Sequence, residues 1–439
     1  MKIKHLILIL ALFSVVLSCK DNTDQKGDNS GDGAKVEETP VVSDDPAVLF
    51  VHEGEDLSAI LESLPNEVKE VRIGAGTFKG NFVMKDGVSV SGSWNKDFTS
   101  TIDYNPLVST EGITTVLDAS GKGIVLTQPE AFTEETVWKN LRLTGGYVTI
   151  PDTHGAGAWL KSGGVLEGCE ICFNINMEDG NCGGGIYSDF GSSVIRCHIH
   201  DNGGNRGGGI FTKGTVSFCV IEKNQANGKG GGIGVFGGND RSGRGIVYNC
   251  LVRDNTGSEG GGIHVERYCT VYNCLVTANT ATRNVGGIQT NGSYGCNIIN
   301  CTVVGNTDPD ASEYSSEICC SEHGVLMNNV TDGRIIVNNK YLFFFNNACP
   351  TEMLVQKVAP WKAERHSDAS HVFFTSLADV LDGSFVPVEG SPLIDKGLQE
   401  ISVTGHEDGV VPDWTDRDYS GRARKAGSAI DIGCNEYQI

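Results

Sequence analysis

The feature that most constrains the fold is a nine-residue frame that occurs six times between residues 166 and 306. The frame reads apolar-x-x-Cys-x-apolar-x-x-Asn, and it ends in each case at one of six asparagines: Asn174, Asn202, Asn224, Asn255, Asn279 and Asn306. Successive asparagines are 28, 22, 31, 24 and 27 residues apart. A repeat of this length indicates a solenoid of stacked coils.

A second signature, Gly-Gly-Gly-Ile, lies between successive frames. It stands at 183–186, 207–210, 230–233 and 260–263, and a variant with valine in place of the first glycine, Val-Gly-Gly-Ile, stands at 285–288. Leucine-rich repeats have a similar spacing, but the apolar positions here hold Val, Ile and Cys, which favour strands, and three glycines would weaken a helix. We therefore predict an all-β chain, a single-stranded right-handed parallel β-helix with at least two short strands in each coil.

Stacking of the coils should place identical positions of the frame above one another, about 4.8 Å apart. We expect the asparagines to form an amide ladder, with each asparagine in the left-handed backbone that a sharp turn needs. The frame cysteines should form a buried column, and we favour mostly free thiols over disulfides between adjacent coils. No Cys or His pair has the spacing of a zinc site with a second pair to match, so the sequence assigns no metal.

The amino terminus has the pattern of a secreted lipoprotein. Lys2 and Lys4 precede an apolar run from Leu6 to Leu17, which is too short to span a bilayer. The run ends at Val16-Leu17-Ser18-Cys19, which resembles a bacterial lipobox, although leucine two residues before the cysteine departs from the commonest pattern. We therefore expect residues 1–18 to be a signal peptide and Cys19 to be lipidated.

Residues 19–46 are polar and acidic, and we predict a disordered tether there. Acidic residues just after a lipidated cysteine resemble the surface-export signal of glycan-foraging Gram-negative lipoproteins. This resemblance implies a lipid anchor in the outer membrane and exposure at the cell surface. A generic tether facing the periplasm is the alternative.

Residues 47–350 are predicted to form the β-helix. Asp56 can cap a helix with Leu57, Ile60, Leu61 and Leu64 on one face, which would cover the amino-terminal end of the solenoid. The segments that follow, residues 71–78 and 88–94, resemble the first coils of pectate-lyase-like β-helix proteins. That family implies carbohydrate binding or cleavage on an outer sheet face, and calcium is a cofactor that some of its members use.

Residues 351–439 are expected to hold the last coils and a cap. The segments at 390–397, 416–422 and 430–437 resemble the choice-of-anchor Q region of bacterial surface β-helices. In that setting we interpret five charged residues as a structural cluster that closes the last coil: Asp395, Asp418, Arg422, Asp431 and Glu436.

The charge excludes one class of partner. The chain has 34 basic and 55 acidic side chains in 439 residues, a formal net charge of -21, so we expect no binding to nucleic acid. A polyanionic ligand is also disfavoured unless calcium or a local basic strip offsets the charge. Arg241, Arg244 and Arg267, together with Lys213, form such a strip on or near the loop between the third and fourth repeats.

The strand after each glycine triplet is the predicted functional face. Alternation places two residues of every such strand outward, in the pairs Tyr187/Asp189, Phe211/Lys213, Gly234/Phe236, His264/Glu266 and Gln289/Asn291. We expect these rings to be exposed, and sugars bind to aromatic faces flanked by polar groups. The alternative is that tyrosine and phenylalanine merely suit an outer strand face or lie under a loop. The predicted sugar-binding residues are Tyr187, Phe211, Phe236, His264, Arg241, Arg244 and Arg267.

Whether this surface cuts a polysaccharide or only binds it stays open at this stage. If it is catalytic, as a polysaccharide lyase or a glycoside hydrolase, Glu266 and Asp189 are the candidate acid and base. Lys213 or Arg267 would then hold an acidic sugar. A binding surface without catalysis and an adhesin or structural spacer are the alternatives. The sequence predicts neither the glycan nor the oligomeric state.

Overall fold

The computed structural model describes residues 41–109, 111–238, 243–291, 295–309, 316–320, 324–337, 342–351, 354–356, 371–397, 418, 429–435 and 438. The predicted signal peptide, Cys19, most of the tether, Arg241, Arg422 and Glu436 lie outside these residues. In the described part of the chain, no helix combines the length and the apolar character that crossing a bilayer would require.

The chain winds through four parallel sheets, and every strand pairs with the equivalent strand of the neighbouring coil. This is the predicted right-handed parallel β-helix. Sheet I has twelve strands, and six of them, β12 to β32, lie just before a frame cysteine. The strands are β1 Val48–Val51, β2 Glu70–Gly74, β5 Ser89–Trp94, β8 Thr136–Lys139, β12 Gly164–Glu167, β16 Ser193–Ile195, β20 Thr215–Ser217, β24 Ile246–Tyr248, β28 Thr270–Tyr272, β32 Cys296–Ile299, β35 Gly324–Met327 and β38 Leu342–Phe345.

Sheet II, also of twelve strands, follows sheet I around each coil. Its strands are β3 Gly76–Lys79, β6 Thr115–Asp118, β9 Arg142–Thr144, β13 Glu170–Cys172, β17 His198–His200, β21 Val220–Glu222, β25 Leu251–Arg253, β29 Leu275–Thr277, β33 Thr302–Val304, β36 Val330–Thr331, β39 Ala348–Pro350 and β41 Val372–Phe374. The strands of the solenoid therefore continue past residue 350, where we placed the carboxy-terminal coils.

Sheet III has eleven strands, and its central members follow the glycine triplets. The strands are β4 Phe82–Val83, β7 Leu126–Thr127, β11 Ala158–Leu160, β15 Ile186–Ser188, β19 Ile210–Thr212, β23 Ile233–Phe236, β27 Ile263–Glu266, β31 Ile288–Asn291, β34 Ser316–Cys320, β37 Arg334–Val337 and β40 Leu354–Gln356.

Sheet IV is short and follows the ladder asparagines. Its six strands are β10 Tyr147–Val148, β14 Ile175–Asn176, β18 Gly203–Gly204, β22 Gln225–Ala226, β26 Thr256–Glu259 and β30 Thr280–Asn284. A full coil thus has four strands, whereas the sequence predicted at least two strands in each coil.

The asparagine ladder is continuous through six coils. Each side-chain amide donates to the side-chain oxygen of the next asparagine at 2.8–3.0 Å, and the last one, Asn306, donates to Glu317 at 2.6 Å. The expectation that the asparagines themselves are left-handed was wrong. The preceding residue takes that conformation instead, for example Phe173 at φ 56° and Lys223 at φ 55°, which leaves each asparagine free to face the interior.

The frame cysteines form a second buried column in which the thiols act as hydrogen-bond donors. Cys197, for instance, donates to the carbonyl of Ile195 at 3.3 Å and to that of Leu166 in the preceding coil at 3.6 Å. Asn329 occupies the same position in a later coil and donates to Ile298 in the same way. All fourteen described cysteines are buried, and the six frame cysteines carry free thiols.

The predicted helix at the amino terminus spans Leu57–Glu62 and is named α1. Asp56 accepts a hydrogen bond from the backbone N–H of Ala59, and Leu57 and Leu61 are buried in the main hydrophobic cluster. The helix thus occurs where the sequence places it, and its capping role stays a prediction.

The carboxy-terminal segment packs back on the last coils. A short 3₁₀ helix at Leu377–Asp379 lies in this part, and Leu393 and Ile432 are buried with Phe374 of β41. Asp395 accepts from the backbone of Ala429, and Asp431 accepts from the backbone of Asp395, both at 2.8 Å. These two carboxylates therefore tie the ends of the segment together, while the anchor-type resemblance stays a prediction.

Candidate functional site

The outer face of sheet III is built from the residue that follows each inward isoleucine. Ile186, Ile210, Ile233 and Ile263 are fully buried in the core, so their successors point away from it. The parallel register places these successors above one another in the order Trp159, Tyr187, Phe211, Gly234, His264 and Gln289. The face that the sequence singled out is thus one continuous column.

The rings of this column are far less exposed than we expected. Tyr187 is 6% and Phe211 9% exposed, because each ring packs against the next and not against solvent. Their ring centroids are 5.7 Å apart and the rings are nearly parallel, and Tyr187 also stacks on His154 at 4.6 Å. The expectation of exposed aromatics was therefore wrong for Tyr187 and Phe211, which mainly stabilise the column.

A gap in the column creates a cleft. Gly234 has no side chain, and a Cβ atom there would lie 2.9 Å from the ring of Phe211. The resulting depression is shallow and open to solvent, and it is lined by Arg206, Phe211, Lys229, Gly234, Val235, Phe236, His264 and Glu266. Phe236 is only half-buried, so part of its ring faces this space. We call this depression the Gly234 cleft.

A charged triad lies at one side of the Gly234 cleft. The carboxylate of Glu266 is 2.9 Å from Lys229 Nζ and 3.1 Å from His264 Nε2. Burial of Glu266 acts to raise its pKa, but the hydrogen bonds from His264 and Lys229 outweigh it and lower the pKa to about 2. Burial also lowers the pKa of His264. Glu266 is therefore ionised at every physiological pH and cannot serve as a general acid there.

Asp189 and Lys213 form a separate pair outside the Gly234 cleft. Lys213 Nζ lies 3.3 Å from Asp189 Oδ1 and above the rings of Tyr187 and Phe190, at 5.3 and 5.4 Å from their centroids. Burial acts to lower the pKa of Lys213, but its contacts with Tyr187 and Asp189 raise it. The two candidate catalytic carboxylates are thus each neutralised by a different lysine.

The predicted basic strip is only partly described. Arg267 lies over the ring of Phe236, 5.1 Å from its centroid, and so contacts the residue that borders the Gly234 cleft. Arg244 is half-buried, and Arg241 lies outside the described residues. The four strip residues are therefore not shown to act together.

The sequence pattern did not identify two basic side chains of the cleft, Arg206 and Lys229, or two rings of the column, His154 and Trp159. Arg206 and Lys229 line the Gly234 cleft from the loops before the triplet strands, where the sequence carries no outward alternation. Arg206 is exposed, and it makes no ion pair with any residue that the structure describes.

His154 and Trp159 extend the aromatic column before the first glycine triplet. The alternation of strand β11 could have identified Trp159, since it precedes Tyr187 in register.

The comparison with a family model agrees with the fold. Residues 123–307 match the family model described as the right-handed beta helix region. The structure is similar to that of pectate lyase Pel9A, with a TM-score of 0.48 and 13% identity over 87% of this chain and 91% of that one. It is also similar to pectin methylesterase from carrot, with a TM-score of 0.22 and 11% identity over 77% and 91% of the two chains. No curated protein sequence matches the chain. The family model and the four parallel sheets together identify residues 123–307 as a right-handed β-helix region.

Proposed function

We propose that this protein binds an extracellular polysaccharide on the outer face of its β-helix, in the Gly234 cleft. The observation that carries the proposal is the composition of the cleft. The half-buried ring of Phe236 and the edge of the buried ring of Phe211 stand beside a carboxylate, an imidazole and two cations. Sugars use both kinds of group, because their C–H faces pack on rings and their hydroxyls need charged or polar hydrogen-bond partners.

The cations of the cleft favour a sugar unit that carries a carboxylate or a sulfate. Arg206 is exposed and has no ion pair with a described residue, so it can form bidentate hydrogen bonds with an anion. Arg267, on the ring of Phe236, adds a second positive charge nearby. These local charges offset the net charge of -21 at this point of the surface.

Binding is a better fit to the cleft than hydrolysis. A glycoside hydrolase of the ordinary two-carboxylate kind needs one carboxyl group that is protonated near neutral pH and a second that is ionised. Among the residues that the structure describes, Glu266 is the only carboxylate that lines the Gly234 cleft, and its pKa of about 2 keeps it ionised. A polysaccharide lyase, with or without calcium, and a purely structural surface protein are the competing functions.

Glycan-array binding followed by incubation with each bound glycan separates these functions. The proposal predicts binding to a narrow set of acidic glycans, with no newly formed reducing ends or unsaturated products. Products from the bound glycans, with or without added calcium, would establish an enzyme instead. An array on which no glycan is retained would contradict the proposal.

We further propose that Cys19 anchors the protein by lipid to the outer membrane, with the β-helix at the cell surface. The support is the apolar run, the lipobox-like Val16-Leu17-Ser18-Cys19 and the acidic residues that follow. More than one acyl chain gives lasting membrane attachment. Palmitate should label the protein in cells, and the label should be lost in Cys19→Ala. Labelling that persists in that variant would contradict this assignment.

A further inference from the structure

A second cluster of chemically active side chains lies on the outer face of sheet II, on different strands from the Gly234 cleft. Glu170 and Cys172 flank the inward Ile171 on β13, and His200 lies on the adjacent β17. The register pairs Cys172 directly with His200. One ligand atom from each of Glu170, Cys172 and His200 can be chosen so that all three lie within 4.8 Å of one another.

We propose that Glu170, Cys172 and His200 form a zinc site. A carboxylate, a thiolate and an imidazole are the three ligand types that Zn²⁺ takes in proteins, and a set of three leaves the fourth position to a water molecule or an external ligand. Calcium and magnesium prefer oxygen ligands alone, so the thiol of Cys172 selects against them. The site rests on paired strands, which hold the three side chains to a fixed register.

The groups around the cluster orient its ligands. His200 Nδ1 lies 2.7 Å from Asp201 Oδ2, and Nε2 of the same ring lies 3.0 Å from Glu170 Oε1. An Nδ1–H that donates to a carboxylate leaves Nε2 to bind a metal, which is the usual arrangement of a zinc-bound histidine. Arg142 contacts the other oxygen of Glu170, Oε2, at 2.8 Å and so fixes that carboxylate while Oε1 faces His200.

The cluster is shielded but reachable by an ion. Cys172 is buried at 2% exposure, while the side chains of Glu170 and His200 are each 14% exposed. The ring of Phe173 packs edge-on against His200, with centroids 6.1 Å apart. An ion could therefore enter from the side of Glu170 and His200 and meet a thiol that bulk solvent does not reach.

This site does not stand out in the sequence, because its ligands are distributed over two coils. Cys172 and His200 are 28 residues apart, one coil period, whereas zinc pairs in loops are separated by two to five residues. A search for short spacings therefore misses them.

The test uses Zn²⁺ and Co²⁺ as probes on the purified, reduced protein. We expect one equivalent of Zn²⁺ to bind, and Co²⁺ to give a thiolate-to-cobalt charge-transfer absorption that disappears in Cys172→Ser. Asp201→Asn should keep the fold and weaken Zn²⁺ binding about 10- to 100-fold. His52→Gln is the control for the loss of a histidine, since His52 follows β1 and its ring contacts the carbonyl of Val41 and the ring of Phe98. It should bind Zn²⁺ as the unaltered protein does.

Circular dichroism without metal establishes that each variant is folded. Should Cys172→Ser fail to fold, the cobalt spectrum of the unaltered protein and the affinity of Asp201→Asn decide the matter. An unaltered protein that takes up no equivalent of Zn²⁺ would overturn the proposal. A charge-transfer absorption that persists in folded Cys172→Ser, or an unchanged affinity in Asp201→Asn, would also overturn it.

Discussion

At the residue scale, the charged triad of Glu266, Lys229 and His264 shows how a surface carboxylate is fixed as an anion. The Lys229 ammonium and the His264 imidazole both donate to one carboxylate that is largely removed from solvent. Their hydrogen bonds outweigh the burial that would otherwise favour protonation. The alternation of β27 predicted that His264 and Glu266 share a face. It could not predict Lys229, because that residue reaches Glu266 from the loop of the preceding coil.

The low pKa of Glu266 makes part of the stability dependent on pH. The pKa is about 2 in the folded chain and the ordinary value is 4.5, so the contribution is fully present above about pH 4.5 and is lost as the pH falls toward 2. Glu266→Gln should therefore flatten the decline of the melting temperature between pH 4.5 and 2. The exposed Glu130→Gln serves as control and should follow the unaltered protein. Parallel curves for Glu266→Gln and the unaltered protein would contradict this explanation.

At the scale of the element, the turns after sheet II are held by the asparagine ladder. Asn224 donates to the backbone carbonyls of Ile199 and Glu222 and to Asn255, and it accepts from both the backbone and the side chain of Asn202. The repeat spacing alone predicted this ladder, since only stacking brings residues 22 to 31 positions apart into contact. Which residue takes the left-handed turn could not be predicted, because the preceding position holds types as different as Phe173, Lys223 and Ala278.

Loss of one ladder asparagine should be costly. Asn224→Ala removes the acceptor of the buried backbone N–H of Asn202 and the side-chain donor to the carbonyls of Ile199 and Glu222. A buried polar group left unsatisfied costs about 1–3 kcal/mol, so we expect the free energy of unfolding to fall by on the order of 3 kcal/mol. Asn227→Ala, at an exposed position of the same coil, should change it by less than about 0.5 kcal/mol. Urea denaturation measures both values. Equal effects of the two substitutions would show that the ladder does not stabilise the coil.

At the scale of the whole molecule, the repeat determines the structure of the coil. It does not determine the local departures from the repeat that form the Gly234 cleft and the Glu170, Cys172 and His200 cluster. Six frames and five glycine motifs predicted the β-helix, its buried thiol column and the face on sheet III. The Gly234 cleft exists because one rung of that face lacks a side chain, and the Glu170, Cys172 and His200 cluster exists because two coils place unlike residues side by side. Such juxtapositions depend on the register between coils, which the loop lengths set.

The most direct test of the proposed function is the affinity of Gly234→Val for an acidic glycan that the unaltered protein binds on the array, measured by calorimetry. A valine Cβ would lie 2.9 Å from the ring of Phe211 and would displace that ring into the Gly234 cleft. We therefore predict at least a tenfold loss of affinity, about 1.4 kcal/mol, with an unchanged circular dichroism spectrum. Gly112→Val, in a loop where an added Cβ would have no neighbour within 4 Å, should bind normally. A folded Gly234→Val protein that keeps full affinity would contradict binding in the Gly234 cleft.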